Sequence, residues 1–184
     1  MLRCFRKLFC CQTRKKEKGI YVLKLKEDKI YVGESNDIEK RIWVHKNSAG
    51  SAWTKKYDFI ERIEPLTRYQ SHFSELAETI LQMEKYGIDN VRGSMFTNPY
   101  NLSENEKIIA AQLYCELNNL CRKCGRKGHF INQCKSGKLE PWVDKFGGKL
   151  SFDGVKKRFC IKCKCDISDK PIYYRYCMDC YHHK

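Results

Sequence analysis

Tyr21 and Tyr31 stand ten residues apart, Arg41 follows after ten more, and His45 comes four residues after Arg41. Arg41 and His45 therefore share one face of any helix that contains both. Further along the chain, Glu75 and Glu78 lie three residues apart, again one helical turn. Phenols, a guanidinium, an imidazole and a carboxylate are the parts of a phosphodiesterase. A phosphodiester repels hydroxide, so its hydrolysis requires neutralised phosphate charge, a base for water and support for the leaving oxygen. Arginine suits the first task because its planar fork presents fixed donors to phosphate oxygens.

A second chemistry is written in cysteine. Cys121, Cys124, His129 and Cys134 are spaced C-x2-C-x4-H-x4-C, which matches a tetrahedral Zn²⁺ site of knuckle type. Gly125 and Gly128 let so short a segment wrap an ion. Cys160, Cys163, Cys177 and Cys180 form two C-x2-C pairs, the pattern of a four-cysteine Zn²⁺ site, with Cys165, His182 and His183 as spare donors. Cys115, inside an amphipathic stretch, reads as a small core residue. Nine of the twelve cysteines lie after residue 114, so they point to local metal sites in a reducing compartment, nuclear or cytoplasmic, rather than to a disulfide framework. Cys4, Cys10 and Cys11 sit in a basic and apolar arm, where lipidation is the less economical reading.

These groups need elements to hold them. "GIYVLKLKEDKIYVGE", residues 19 to 34, reads as a hairpin rich in β-branched and aromatic residues. A plain two-residue turn at Glu27 and Asp28 would send the two phenols to opposite faces, because side chains alternate. A shared site requires an odd loop or a bulge, with Tyr21 near Gly33 and Tyr31 near Leu23. Asn36 with Glu39 is expected to cap a helix over about 37–47, and "YDFIERIEPL" gives a third strand. A second helix starts near Ser74 and stops at Gly87, and Ser103 with Glu106 opens a third that reaches about Leu120.

The charge of +14 is uneven: +6 over residues 1–18, −2 over 19–120 and +10 over 121–184. Basic flanks around a near-neutral body suit a binder of polyanions whose grip and central activity are separate. No apolar run approaches the ~20 residues of a membrane span, and "MLRCFRKLFCC" is too interrupted for a signal peptide. Hydrophobic content of 42% is enough for a packed core.

The ordered combination of "GIY", "YVG", Arg41, His45 and a downstream glutamate resembles the GIY-YIG nuclease superfamily over residues 19–95. "YVG" is a variant of "YIG", while "GSAWTKKY" and "MEKYGIDNVRG" look like a branch of large DNA viruses in which the nuclease is joined to a zinc knuckle. The resemblance implies a single divalent cation, Mg²⁺ or Mn²⁺, held by one glutamate of the second helix, Glu78 in preference to Glu75. Mg²⁺ tolerates so few protein ligands because it keeps its waters. The resemblance also implies Arg41 on the phosphate, Tyr21 or Tyr31 as general base, and His45 orienting water or touching phosphate. Glu34 departs from the relatives, many of which carry Lys or a neutral residue there. In the knuckle Phe130 is placed to stack on an unpaired base, while Arg122 stands where many knuckles have an aromatic.

The fold expected is α+β: a small GIY-YIG core with a three-stranded antiparallel sheet and flanking helices, plus two zinc-binding modules. Its parts are a basic arm (1–18), the nuclease domain (19–100), a connecting helix (101–120), the CCHC knuckle (121–134), a linker or extra turn of structure (135–158) and a four-cysteine module (159–184). The function expected is metal-dependent endonuclease action on DNA, branched or single-stranded forms included. The rivals are a nucleic-acid-binding protein without turnover and a zinc-mediated protein-interaction adaptor.

Overall fold

The computed structural model describes residues 16–47, 49–153, 157–168, 170 and 174–182. Cys4, Cys10, Cys11 and His183 lie outside the described residues, as do most of the basic arm and the side chain of His182.

Strands β1 (Gly19–Leu25) and β2 (Ile30–Ser35) pair antiparallel, with Tyr21 opposite Gly33 and Leu23 opposite Tyr31. This is the register that puts both phenols on one face. The device is a bulge beside a two-residue turn. Glu27 and Asp28 form the turn at φ 58° and 53°, closed by the Lys29 N–H on the Lys26 carbonyl at 3.3 Å. The Leu25 N–H reaches the Lys29 carbonyl at 2.8 Å, so Leu25 and Lys26 together oppose Lys29. The freed Lys26 N–H donates instead to the Asp58 carbonyl at 2.9 Å.

β3 (Phe59–Ile63) joins β1 on its other side. The sheet has a fourth strand that was not expected: β4 (Val91–Arg92) runs parallel to β2, giving the order β3-β1-β2-β4. A two-residue strand carries no periodicity for a sequence reading to find.

Alternation in the hairpin separates two apolar layers. Ile20, Val22, Ile30 and Val32 face α3 (Phe73–Tyr86) and α4 (Glu104–Leu117), meeting Ile80, Met83, Ala110 and Ala111. Tyr21, Leu23 and Leu25 face α1 (Ile38–Lys46) and the short α2 (Ala52–Lys56) through Ile38, Ile42 and Trp53. The N-cap of α1 is Asp37, whose carboxylate accepts the Lys40 N–H at 3.1 Å, not Asn36. α3 ends at Gly87 with φ 84°, and Ser103 and Glu106 form the reciprocal capping box of α4. α2 falls where a loop was expected.

The stretch 135–158 supplies a 3-10 turn at Pro141–Phe146, and it is no free linker: Val143, Phe146 and Leu150 enter the main core. Trp142 donates its indole N–H to the Gly125 carbonyl at 3.1 Å, and the Glu140 N–H reaches the Cys124 carbonyl at 2.9 Å. The knuckle is thereby tied to the body of the protein. A last short helix, α5 (Met178–His182), follows Cys177. No described helix is long and apolar enough to cross a membrane.

Candidate active site

Tyr21 is 1% exposed, and its ring lies across the strand partner Gly33. A Cβ at position 33 would fall 2.4 Å from the Tyr21 hydroxyl, so only glycine leaves the phenol its place. This answers why one strand reads GIY and the other YVG. The hydroxyl then meets α1: Arg41 Nε lies 3.4 Å away and His45 Nε2 3.0 Å away. The Tyr31 ring stands 5.0 Å from that of His45 and 6.3 Å from that of Tyr21. Four of the residues singled out in the sequence, Tyr21, Tyr31, Arg41 and His45, thus form one cluster.

Its electrostatics follow from burial. Desolvation pushes the Tyr21 phenol well above its ordinary value, reinforced by Tyr31 and opposed by Arg41. Burial, aided by the Arg41 charge, pulls His45 down to about 4, so its imidazole is neutral at pH 7. Arg41 forms no ion pair with a carboxylate among the described residues; its close partners are phenols. A half-exposed cation without an anion is poised for an anionic ligand.

The two glutamates of α3 have different fates. Glu78 does not join the cluster: it is fully buried, accepting the Leu66 N–H at 2.9 Å, the Thr67 N–H at 2.7 Å, the Thr67 hydroxyl at 2.8 Å and the Gln82 amide at 2.7 Å. With both carboxylate oxygens occupied, it fastens the loop before α3 and has no face left for an ion. Glu75 is half-buried, takes the Ser94 N–H at 2.8 Å on Oε1, and makes no hydrogen bond through Oε2 among the described residues. Burial raises its pKa, the Ser94 N–H opposes that, and Glu34 reinforces it. Its charge also raises the Tyr21 phenol, as the smallest of the effects on that group. Glu34 is engaged by the Tyr69 hydroxyl at 3.0 Å and by His72 at 3.1 Å.

Two supporting residues, Thr54 in "GSAWTKKY" and Arg92 in "MEKYGIDNVRG", were not singled out in the sequence although both stretches carry the family resemblance. Thr54 on α2 meets His45 Nδ1 at 2.8 Å. Arg92 is 1% exposed and stacks on Trp53 at 4.3 Å while donating to the carbonyls of Ile88, Val91, Asn98 and Tyr100. Burial brings Arg92 to about 10, still charged at pH 7. Arg92 locks α2 and the 88–100 loop together, and a buried arginine that saturates backbone carbonyls cannot be told from a surface one by spacing.

The metal-ligand atoms of Cys121, Cys124, His129 and Cys134 lie within 4.8 Å of one another, as do those of Cys160, Cys163, Cys165 and Cys177. Both sets could hold Zn²⁺. In the second, the spare donor Cys165 groups with Cys160, Cys163 and Cys177, while the Cys180 thiol also interacts with those of Cys177, Cys163 and Cys160 and its N–H donates to Cys177 Sγ at 3.4 Å. The Cys163 N–H brings the Cys160 thiol down to about 6, favouring the thiolate a metal needs. All nine described cysteines are free thiols, and Cys115 is buried in the core. Phe130 and Ile131 of the knuckle are 70% and 57% exposed.

Residues 17–101 match the GIY-YIG catalytic domain family, and residues 119–136 match the zinc knuckle family. A UPF0213 protein of Clostridium perfringens (strain 13 / Type A) is 42% identical over 36 residues, a stretch covering 20% of this chain and 39% of that protein. The chain thus spans under half the length of this relative. No solved structure gives a significant match. The chain carries a GIY-YIG catalytic domain at residues 17–101, followed by a CCHC zinc knuckle at residues 119–136.

Proposed function

We propose that this protein is a divalent-metal-dependent endonuclease that hydrolyses DNA phosphodiester bonds, with its zinc modules holding the nucleic acid. The observation that carries the reading is the meeting of Tyr21, Arg41 and His45 from separate elements, with the Tyr21 hydroxyl 3.4 Å from Arg41 and 3.0 Å from His45. Arg41, free of carboxylate partners among the described residues, binds a phosphate oxygen through its donors. Tyr21 is the general base: it passes its proton to His45 Nε2 and takes one from the attacking water. Tyr31, more open than Tyr21, borders the phosphate position.

Glu75, rather than Glu78, is the carboxylate available to Mg²⁺ or Mn²⁺. One oxygen lacks a hydrogen-bond partner among the described residues, and a single carboxylate suits a cation that retains most of its waters. Bound there, the cation would lower the pKa of a coordinated water and offset the burial that keeps Tyr21 protonated. The zinc sites belong to a reducing compartment, where thiolate ligands persist.

The test is nicking of plasmid, flap and branched DNA with Mg²⁺ by the wild type, Arg41→Ala and Glu75→Gln. Cleavage by the wild type with roughly 10²- to 10³-fold loss in each variant supports the reading. DNA binding by the wild type without any nicking overturns it.

A further inference from the structure

His45 is 2% exposed and Thr54 3% exposed, so the hydrogen bonds around them must balance within the protein. Each donor has to find an acceptor, and a neutral imidazole has one of each.

On the Thr54 side, the threonine hydroxyl has a single proton. Its nearest acceptors at the N-cap of α2 are the Ser51 carbonyl at 3.1 Å and the Ser51 hydroxyl at 3.3 Å. With its proton directed to that carbonyl, the Thr54 oxygen, 2.8 Å from His45 Nδ1, is left to accept from Nδ1–H. No water substitutes. A Cβ at Gly50 would fall 2.1 Å from Nδ1 and 2.6 Å from the Thr54 hydroxyl, so the backbone of the loop closes directly over this bond.

On the Tyr21 side, the argument is separate and agrees. Arg41 Nε can only donate to the Tyr21 oxygen, at 3.4 Å. With Nε2 accepting, the Tyr21 proton and the Arg41 Nε–H are both partnered inside the cluster, whereas a donating Nε2 would leave the Tyr21 proton without a protein acceptor among the hydrogen bonds found there. The two balances, at opposite ends of the imidazole, select the same tautomer.

We infer that Thr54 is a positioning residue: by accepting Nδ1–H it fixes His45 as the Nδ1–H tautomer, leaving Nε2 free to receive the Tyr21 proton. This rests on the nuclease reading for its effect on rate, although not for the tautomer itself. The carbonyl of Ser51 acts upstream, by orienting the threonine hydroxyl. α2 is held in turn by Trp53, whose indole N–H donates to the Ile30 carbonyl at 3.1 Å and whose ring lies against Arg92. A five-residue helix thus sets which nitrogen of His45 carries the proton.

The test couples a spectrum to kinetics. Long-range ¹H–¹⁵N correlation on uniformly labelled protein at pH 7.5, with His45→Gln identifying the signal, reads the tautomer directly. The wild type should show a protonated Nδ1 and an unprotonated Nε2. Thr54→Val, which keeps shape and removes the acceptor, should move the proton to Nε2 and lower kcat by roughly 10- to 100-fold with KM little changed. Thr54→Ser should restore both tautomer and rate. A wild-type His45 protonated at Nε2, or doubly protonated, overturns the inference, as does an active Thr54→Val with wild-type kcat. If Thr54→Val does not fold, the wild-type and Thr54→Ser spectra decide. A wild type with the Nδ1–H tautomer but no cleavage of any DNA sinks the nuclease reading while supporting the tautomer assignment.

Discussion

The ring of Tyr21 lies over Gly33 so closely that a β-carbon on Gly33 would sit 2.4 Å from the phenol oxygen. The contact joins the two halves of the hairpin signature into one physical object: the glycine of the second strand is the seat of the tyrosine of the first. Gly33→Ala should therefore push the phenol away from His45 and Arg41. Overpacking of this kind costs about 1–3 kcal/mol. Thermal unfolding and DNA nicking together check it, with a fall in Tm and at least a tenfold loss of rate expected. A Gly33→Ala protein with wild-type Tm and rate would refute the contact.

Glu75 and Glu78 should separate in experiment despite being one turn apart. Glu78→Gln strands part of a buried network of four hydrogen bonds, so stability should fall by about 3 kcal/mol. Glu75→Gln should leave the Tm near that of the wild type and lower metal-dependent cleavage by roughly 10²- to 10³-fold. Calorimetry paired with the nicking assay gives both numbers. Loss of activity from Glu78→Gln without loss of stability would reverse the assignment.

His45 should give the protein an acid-sensitive component. Burial takes the group from 6.5 in the unfolded chain to about 4 in the fold, so between those values the unfolded state binds the extra proton. The contribution is whole above pH 6.5, shrinks as pH falls through the window and is gone below about pH 4. Tm profiles of wild type and His45→Gln should converge on acidification. Profiles that run parallel from pH 7 to 4 would mean that His45 does not titrate as described.

Zinc should be countable. Elemental analysis of the purified chain is expected to give two Zn²⁺, with Cys124→Ser and Cys163→Ser each reducing the figure to one. Cys124→Ser should also weaken binding of single-stranded DNA, since it releases the segment that presents Phe130 and Ile131. A wild type with no bound zinc after purification in zinc-supplemented medium would remove both sites from the account.

Much of this was legible in the residues because it is local. The i, i+4 spacing of Arg41 and His45 places them on one helical face whatever surrounds the helix, and C-x2-C-x4-H-x4-C closes a small loop on itself. The need for an odd residue in the hairpin followed from alternation alone, and the bulge at Lys26 supplies it.

What periodicity could not decide was direction and company. Glu75 and Glu78 lie one turn apart on α3, and only the loop at Leu66 and Thr67 and the Ser94 N–H determine which carboxylate is consumed in structure. Thr54 matters through a fold-level contact with His45, and Val143 and Phe146 were hidden in a stretch without helical period until they met the core. The sequence determined which groups each element presents, since that is set by bonds along the chain. Tertiary structure decided which of them meet, because burial and hydrogen-bond satisfaction are shared among elements remote in sequence.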